Sequence, residues 1–160
     1  MIFVKRVLFI SSTGGHLSEM LQLKKMFNNY EYYIVTEKTK SNLWLKDKYK
    51  DHISYLVYGT KDYQLFIYPF KLLYNSFKSL FIYLKFHPDY IITTGTHTAG
   101  PMFLIGKIFG SRCIYIETFA NISTKTVTGK ILYPFADRFV VQWESMKENY
   151  PKAIDGGWIY

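Results

Sequence analysis

The sequence has a single cysteine, Cys113, so no internal disulfide can form and a reducing compartment is its natural home. No window of 18 residues is free of charge, which argues against a membrane-spanning helix and leaves only peripheral membrane contact. Met1 to Ile10 is interrupted by Lys5 and Arg6 and runs straight into a glycine turn, unlike a secretory signal. No Pro/Gly/Ser-rich stretch, charge run or internal repeat divides the 160 residues, so one domain over 1–160 is expected. A chain of that length buries about two-thirds of its unfolded surface and needs no structural metal. Cys/His clusters with metal-ligand spacing are missing, as are the Gly-x-x-x-x-Gly-Lys-Ser/Thr loop and a nucleophile elbow. Metal, kinase-type and hydrolase chemistry are set aside.

Acidic residues are scarce too: 12 Asp and Glu stand against 20 Lys and Arg, for a net charge of +8. A basic surface seeks anions, whether nucleic acid, acidic headgroups or a diphosphate. The 15 tyrosines and 13 phenylalanines favour interfaces, where one end of a ring is wet and the other dry. Nucleic acid is disfavoured, because the lysines sit among bulky apolar groups rather than in a polar groove.

Val7 to Ile10 is a short apolar run ending in Ser-Ser-Thr-Gly-Gly, after which Leu17, Met20, Leu21, Leu23 and Phe27 recur at helical spacing. Strands are expected at Tyr32 to Thr36 and Ile53 to Tyr58. Asp89 to Thr94 repeats the first pattern, running into a glycine turn and an apolar helix that Gly110 ends. Cys113 to Ile116 and Phe139 to Val141 complete the set, Cys113 reading as a buried strand thiol. Strands alternating with helices predict an α/β fold: a Rossmann-like parallel sheet with helices on both faces. Ligands of such sheets lie beyond the carboxyl ends of the strands, so the turns after the first, fourth and fifth strands should share one crevice.

The first of those turns, Ser11 to His16, puts Gly14 and Gly15 where the backbone must turn sharply just before a helix whose first amides lack partners. Ser12, Thr13, Gly14, Gly15 and His16 are therefore candidates for binding a phosphate; the alternative is that Ser and Thr merely cap the helix. His16 can donate to a phosphate or exchange a proton. The spacing Gly-x-Gly-x-x-Gly is absent, yet Glu37 ends the second strand where a ribose-binding acid would sit. A solvated charge beside Lys38 is the favoured reading of Glu37. Thr94 and Gly95 form a second turn with a nearby histidine, His97. Glu117 follows an apolar strand directly, where a charge is inexpensive only if it faces the crevice or pairs with a base; it is the best acid/base candidate beside His16. Asn121 opens a polar stretch suited to hydrogen-bonding a sugar, or forming a plain loop.

Between Asp62 and Phe86 the chain is basic and aromatic, with Lys71, Lys78 and Lys85 seven apart. On a helix they share one face with Asn75, while Leu72, Leu73, Phe77, Leu80, Phe81 and Leu84 make a broad apolar surface. Such a helix can lie in an anionic membrane surface, with Lys71, Lys78, Phe81 and Lys85 as contacts, or be buried on the sheet with a solvated lysine edge.

Ser12-Thr13-Gly14-Gly15-His16, Thr94-Gly95 followed by Gly100-Pro101, Tyr115-Ile116-Glu117-Thr118, and Thr128-Gly129-Lys130 through Ala136-Asp137-Arg138 to Trp143 together resemble the Alg14 family of polysaccharide-biosynthesis proteins over nearly the whole chain. More distantly they resemble the N-terminal half of lipid-linked glycosyltransferases typified by MurG. The resemblance implies one half of a GT-B glycosyltransferase divided between two chains. This chain would meet a lipid-diphosphate-linked saccharide acceptor, in capsule or exopolysaccharide assembly, at the cytoplasmic face of the cell membrane. It would hold no cofactor, and an Alg13-like partner would carry most of the nucleotide-sugar site. A complete two-domain enzyme needs about twice the residues present, which agrees. The resemblance makes the tail, about 151–160, part of the partner interface, with Trp158, Ile159 and Tyr160 as anchors; a tail folded onto its own domain is the alternative. Eukaryotic members carry an N-terminal membrane anchor, whereas here the first strand begins at once. The rivals are a non-catalytic scaffold that activates its partner, and a nucleotide-binding Rossmann enzyme using Glu37.

Overall fold

The computed structural model describes residues 4–59 and 66–159. In chain order the elements are β1 (Arg6–Ser11), α1 (Gly15–Gln22), β2 (Glu31–Glu37), α2 (Trp44–Tyr49), β3 (Ile53–Leu56), α3 (Tyr68–Phe86), β4 (Tyr90–Thr93), α4 (Gly100–Ile108), β5 (Arg112–Ile116), α5 (Val127–Leu132), β6 (Arg138–Val141), α6 (Met146–Asn149) and β7 (Ile154–Asp155), with short 3-10 turns between some of them. All strands pair in parallel, in the order β3-β2-β1-β4-β5-β6-β7. This is the α/β Rossmann-like sheet expected, extended by the two-residue β7, too short for periodicity to reveal.

The alternation of a strand dictates the layers. Val7 and Phe9 point to one face of β1, where they meet Leu17, Met20 and Phe27; Leu8 and Ile10 point to the other, with Ile91, Phe103, Cys113 and Tyr115. Both faces are dry, so the strands read as nearly continuous apolar runs. Helix α4 approaches β4 so closely that a Cβ at Gly106 would run into the Ile91 side chain. Helix α3 starts at a proline and stops where His87 turns left-handed (φ 48°), its N–H bonding the Tyr83 carbonyl at 2.7 Å.

The expected third strand ends early. Beyond Leu56, the Val57 N–H and carbonyl are taken by the side-chain amide of Asn75, each at 2.9 Å. Asn75 is thus 4% exposed and faces inward, not along the lysine stripe. The exposed side of α3 carries Phe70, Leu73, Phe77, Phe81 and Leu84, while Leu72 and Leu80 are half-buried. Lys71 and Lys78 flank that stripe half-buried, and Lys85 is exposed. Among the described residues no helix is long and apolar enough to cross a membrane.

The chain runs outward from β1 to β2 and β3, then returns to place β4 on the other side of β1. That reversal opens a crevice beyond the carboxyl ends of β1 and β4, where ligands of such sheets bind.

Candidate functional site

Two turns flank that crevice and are locked together. The Thr94 hydroxyl donates to the His16 carbonyl at 2.7 Å, and His16 Nδ1 lies 2.8 Å from the Thr94 carbonyl. A carbonyl only accepts, so Nδ1 carries the proton and Nε2 is left as the basic atom of the neutral ring. The side chain of His16 keeps 28% of its surface exposed.

The turn itself does not close on its own helix. Gly14 adopts φ 74° and ψ −140°, a conformation favouring glycine, and among the described residues no side chain caps α1. Ser12 donates instead to the Thr13 carbonyl at 3.2 Å, and the Thr13 hydroxyl lies 3.3 Å from that of Thr39. The capping alternative for Ser12 and Thr13 therefore falls away. Gly14 and Gly15 are exposed, with no heavy atom near the space a Cβ would fill, so a ligand can approach the backbone there.

The second turn is strained. Gly95 has φ 102°, and a Cβ on it would lie 2.8 Å from the Tyr115 hydroxyl. Thr96 adopts φ 79° and ψ 159°, a region almost reserved for glycine, and its buried hydroxyl has no partner among the described residues.

Glu37 is neither solvated nor open to a ribose. It is 2% exposed; one oxygen accepts from Thr98 Oγ1 and from Gly59 N–H at 3.0 Å, and the other lies 3.4 Å from Thr13 N–H. The favoured expectation is corrected: Glu37 clasps the chain after β1, β3 and β4. It is inexpensive to bury because donors surround it.

Glu117 is 1% exposed and saturated. Its oxygens accept from Thr118 N–H (3.0 Å), from Thr126 Oγ1 (3.0 and 3.1 Å) and from Tyr150 OH (2.8 Å). It neither faces the crevice nor pairs with a base; hydroxyls compensate its burial. Burial, followed by the bond to Glu117, drives the Tyr150 hydroxyl far above its ordinary range. Gly129 lets α5 pack there, since a Cβ would collide with Glu117 and lie 2.5 Å from Tyr150 OH. Asn121 closes its own loop on the Thr124 carbonyl at 3.0 Å.

Sequence reading missed Glu19. It sits one helical turn after His16, on the buried side of α1, and is 2% exposed. One oxygen accepts from Phe119 N–H (2.6 Å), Thr118 Oγ1 (3.3 Å) and Gln142 Nε2 (3.5 Å), tying α1 to the turns after β5 and β6. The other oxygen is buried with no hydrogen-bond partner among the described residues, 3.9 Å from His16 Nδ1. Burial pushes this carboxyl above the usual range, while Phe119 N–H and His16 pull the other way. The signal available in the sequence was an acid at i+3 from the turn histidine.

Cys113 is buried, and burial pushes its thiol up to about 12, which removes it as a nucleophile. A surface groove of about 980 Å³ is lined by Tyr133, Arg138 and Lys152 among others. It lies near the amino end of β6, away from the two turns. The tail folds onto its own domain: β7 pairs with β6, Ile159 N–H donates to Gln142 Oε1 at 3.2 Å, and the Trp158 ring packs 5.3 Å from both Phe119 and Trp143. Trp158 nonetheless stays 64% exposed. Tyr160 lies outside the described residues.

The sheet and its paired turns define a Rossmann-like domain of the type found as the N-terminal half of GT-B glycosyltransferases. MurG of Acinetobacter baumannii superposes with a TM-score of 0.72 at 19% identity, over 88% of this chain and 42% of that one. The UDP-GlcNAc 2-epimerase of Neisseria meningitidis superposes at 0.68 with 15% identity, over 96% and 46%. This chain spans less than half of either structure. Residues 7–159 match the family described as oligosaccharide biosynthesis protein Alg14 like, and the chain belongs to that family. Relatives named UDP-N-acetylglucosamine transferase subunit ALG14 include the mouse protein, 24% identical over 93% of this chain and 80% of its own length. The Schizosaccharomyces pombe protein is 27% identical over 94% and 81%.

Proposed function

We propose that this chain is the acceptor-binding, membrane-associated subunit of a two-chain glycosyltransferase. The observation that carries the reading is His16, fixed by Thr94 at the sheet's reversal point with Nδ1 as the donor, beside a helix start that no side chain caps. The exposed backbone of Gly14 and Gly15, in the turn that Ser12 and Thr13 lead into, binds the diphosphate of a lipid-linked saccharide, while Thr94 and Gly95 hold the neighbouring turn in place. His16 Nε2 takes the proton of the attacking hydroxyl. Glu117 acts at one remove, holding the turn after β5, and Asn121 shapes the loop beyond it. The pathway is capsule or exopolysaccharide assembly.

An Alg13-like partner supplies the other wall and most of the site for the nucleotide-sugar, which in the relatives named above is a UDP-N-acetylglucosamine. The relatives' printed description as transferase subunits supports that division. Trp158, left 64% exposed, with Ile159 and Tyr160, meets the partner. Expressed with that partner, His16→Ala should lower kcat/KM for a lipid-diphosphate-linked acceptor by about 100-fold. Unchanged transfer would remove His16 from the mechanism.

The aromatic stripe of α3 rests on the cytoplasmic face of the membrane, with Phe81 in the acyl boundary and Lys71, Lys78 and Lys85 near anionic headgroups. Phe77→Ser with Phe81→Ser should abolish cosedimentation with phosphatidylglycerol vesicles while leaving the melting temperature unchanged, since both rings are exposed. Retained binding would move attachment to the partner.

A further inference from the structure

Four carboxylate oxygens lie on Glu19 and Glu117, behind the turns after β1 and β5, and three of them accept hydrogen bonds. The exception is Glu19 Oε2, which is buried, has no hydrogen-bond partner among the described residues and lies 3.9 Å from His16 Nδ1. A folded protein rarely leaves a buried carboxylate oxygen unsatisfied, and where it does the group calls for a reason beyond packing. Its twin, Oε1, is gripped by Phe119 N–H, Thr118 Oγ1 and Gln142 Nε2, so the carboxylate cannot swing away from the histidine without losing those bonds. The Thr94 carbonyl and Glu19 Oε2 both lie on the Nδ1 side of the ring, at 2.8 and 3.9 Å, which leaves Nε2 to meet the acceptor.

We propose that Glu19 is the positioning residue for His16: its free oxygen stabilises the imidazolium that forms when the acceptor hydroxyl delivers its proton to Nε2. This rests on the reading of His16 given above. In the step, the acceptor oxygen forms a bond to the anomeric carbon of the nucleotide-sugar held by the partner. The bond from that carbon to the diphosphate breaks, its electron pair leaves with the nucleoside diphosphate, and the hydroxyl proton passes to Nε2. Positive charge then appears on the ring, 3.9 Å from a buried carboxylate, where the attraction is larger than in bulk solvent. Glu19 touches no substrate; it acts through the ring.

The test uses the reconstituted two-chain enzyme with a lipid-diphosphate-linked saccharide and a nucleotide-sugar. Glu19→Gln keeps the size and the oxygen that accepts from Phe119, and removes the charge. It should lower kcat at least tenfold while the acceptor KM stays within twofold, and in a His16→Ala background it should cost less than twofold more. A Glu19→Gln enzyme within twofold of wild type overturns the inference, as does an equal loss in the His16→Ala background, or a loss confined to KM. Thr118→Val guards against a purely structural effect, because it removes one bond to the same carboxylate and leaves the charge. Its kcat should stay within twofold of wild type; if it falls as far as that of Glu19→Gln, the role is structural and the inference fails. The two readings fail differently. Absence of transfer by the wild-type pair defeats the proposed function, whereas transfer that needs His16 but not Glu19 defeats only this inference.

Discussion

Two buried carboxylates sit behind neighbouring turns of the same sheet, and they are built to opposite rules. Around Glu117 every oxygen is answered by a hydroxyl or an amide, from Thr118, Thr126 and Tyr150. Around Glu19 one oxygen has three donors and the other has a histidine just out of hydrogen-bonding range. Burial is nearly the same, 1% against 2%, so exposure does not separate them; satisfaction does. A saturated carboxylate is fastened in place and serves the fold. An unsaturated one costs stability and is kept where its charge has something to do.

That contrast breaks most sharply at Glu117. Glu117→Ala would strand the Tyr150 hydroxyl, the Thr126 hydroxyl and the Thr118 amide in a dry site, at a cost of about 4 kcal/mol in denaturant unfolding. A loss below about 1 kcal/mol would show that the cluster is not the fastening described. A smaller change in the opposite direction is expected on the cleft side. Thr96→Gly removes a conformation that only glycine adopts comfortably and an unpartnered hydroxyl, so stability should rise by about 1 to 2 kcal/mol, with transfer activity reduced. A variant less stable than wild type would mean that the turn stores no strain.

The smallest effect concerns pH. Folding raises the Glu19 carboxyl above 4.5, so as pH climbs the unfolded chain releases this proton first, and stability declines from about 4.5 up through the folded value. Glu19→Gln carries no such proton. Compared with wild type, its melting temperature should be equal or higher at neutral pH, and its advantage should shrink as the buffer is taken down through that window. A Glu19→Gln protein that melts lower at pH 7 than at pH 4, relative to wild type, would contradict the sign. Paired with the loss of kcat, this gives the signature of a residue retained for chemistry at some expense of stability.

Much of the frame was legible locally. The apolar runs of β1, β4, β5 and β6 and the glycines at 14, 95 and 110 mark strands and turns because their causes lie within a few residues. What escaped depends on distant partners. Glu19 and Phe119 are 100 positions apart, and nothing near Glu19 announces that contact. Glu37 was read as solvated beside Lys38, although Thr98, 61 positions on, encloses it. Asn75 fitted the lysine stripe by arithmetic, yet its amide can replace a strand partner for Val57, and that contact outweighed the spacing. Of the candidate site, the turn and its histidine were visible; the acid behind the histidine was not, and the acid that was visible, Glu117, is a fastening.

The reciprocal bonds between His16 and Thr94 join two segments 78 positions apart across the middle of the sheet. Because they close when the domain folds, the loss of freedom needed to aim the imidazole is met before any ligand arrives. Binding then has little left to immobilise on this side.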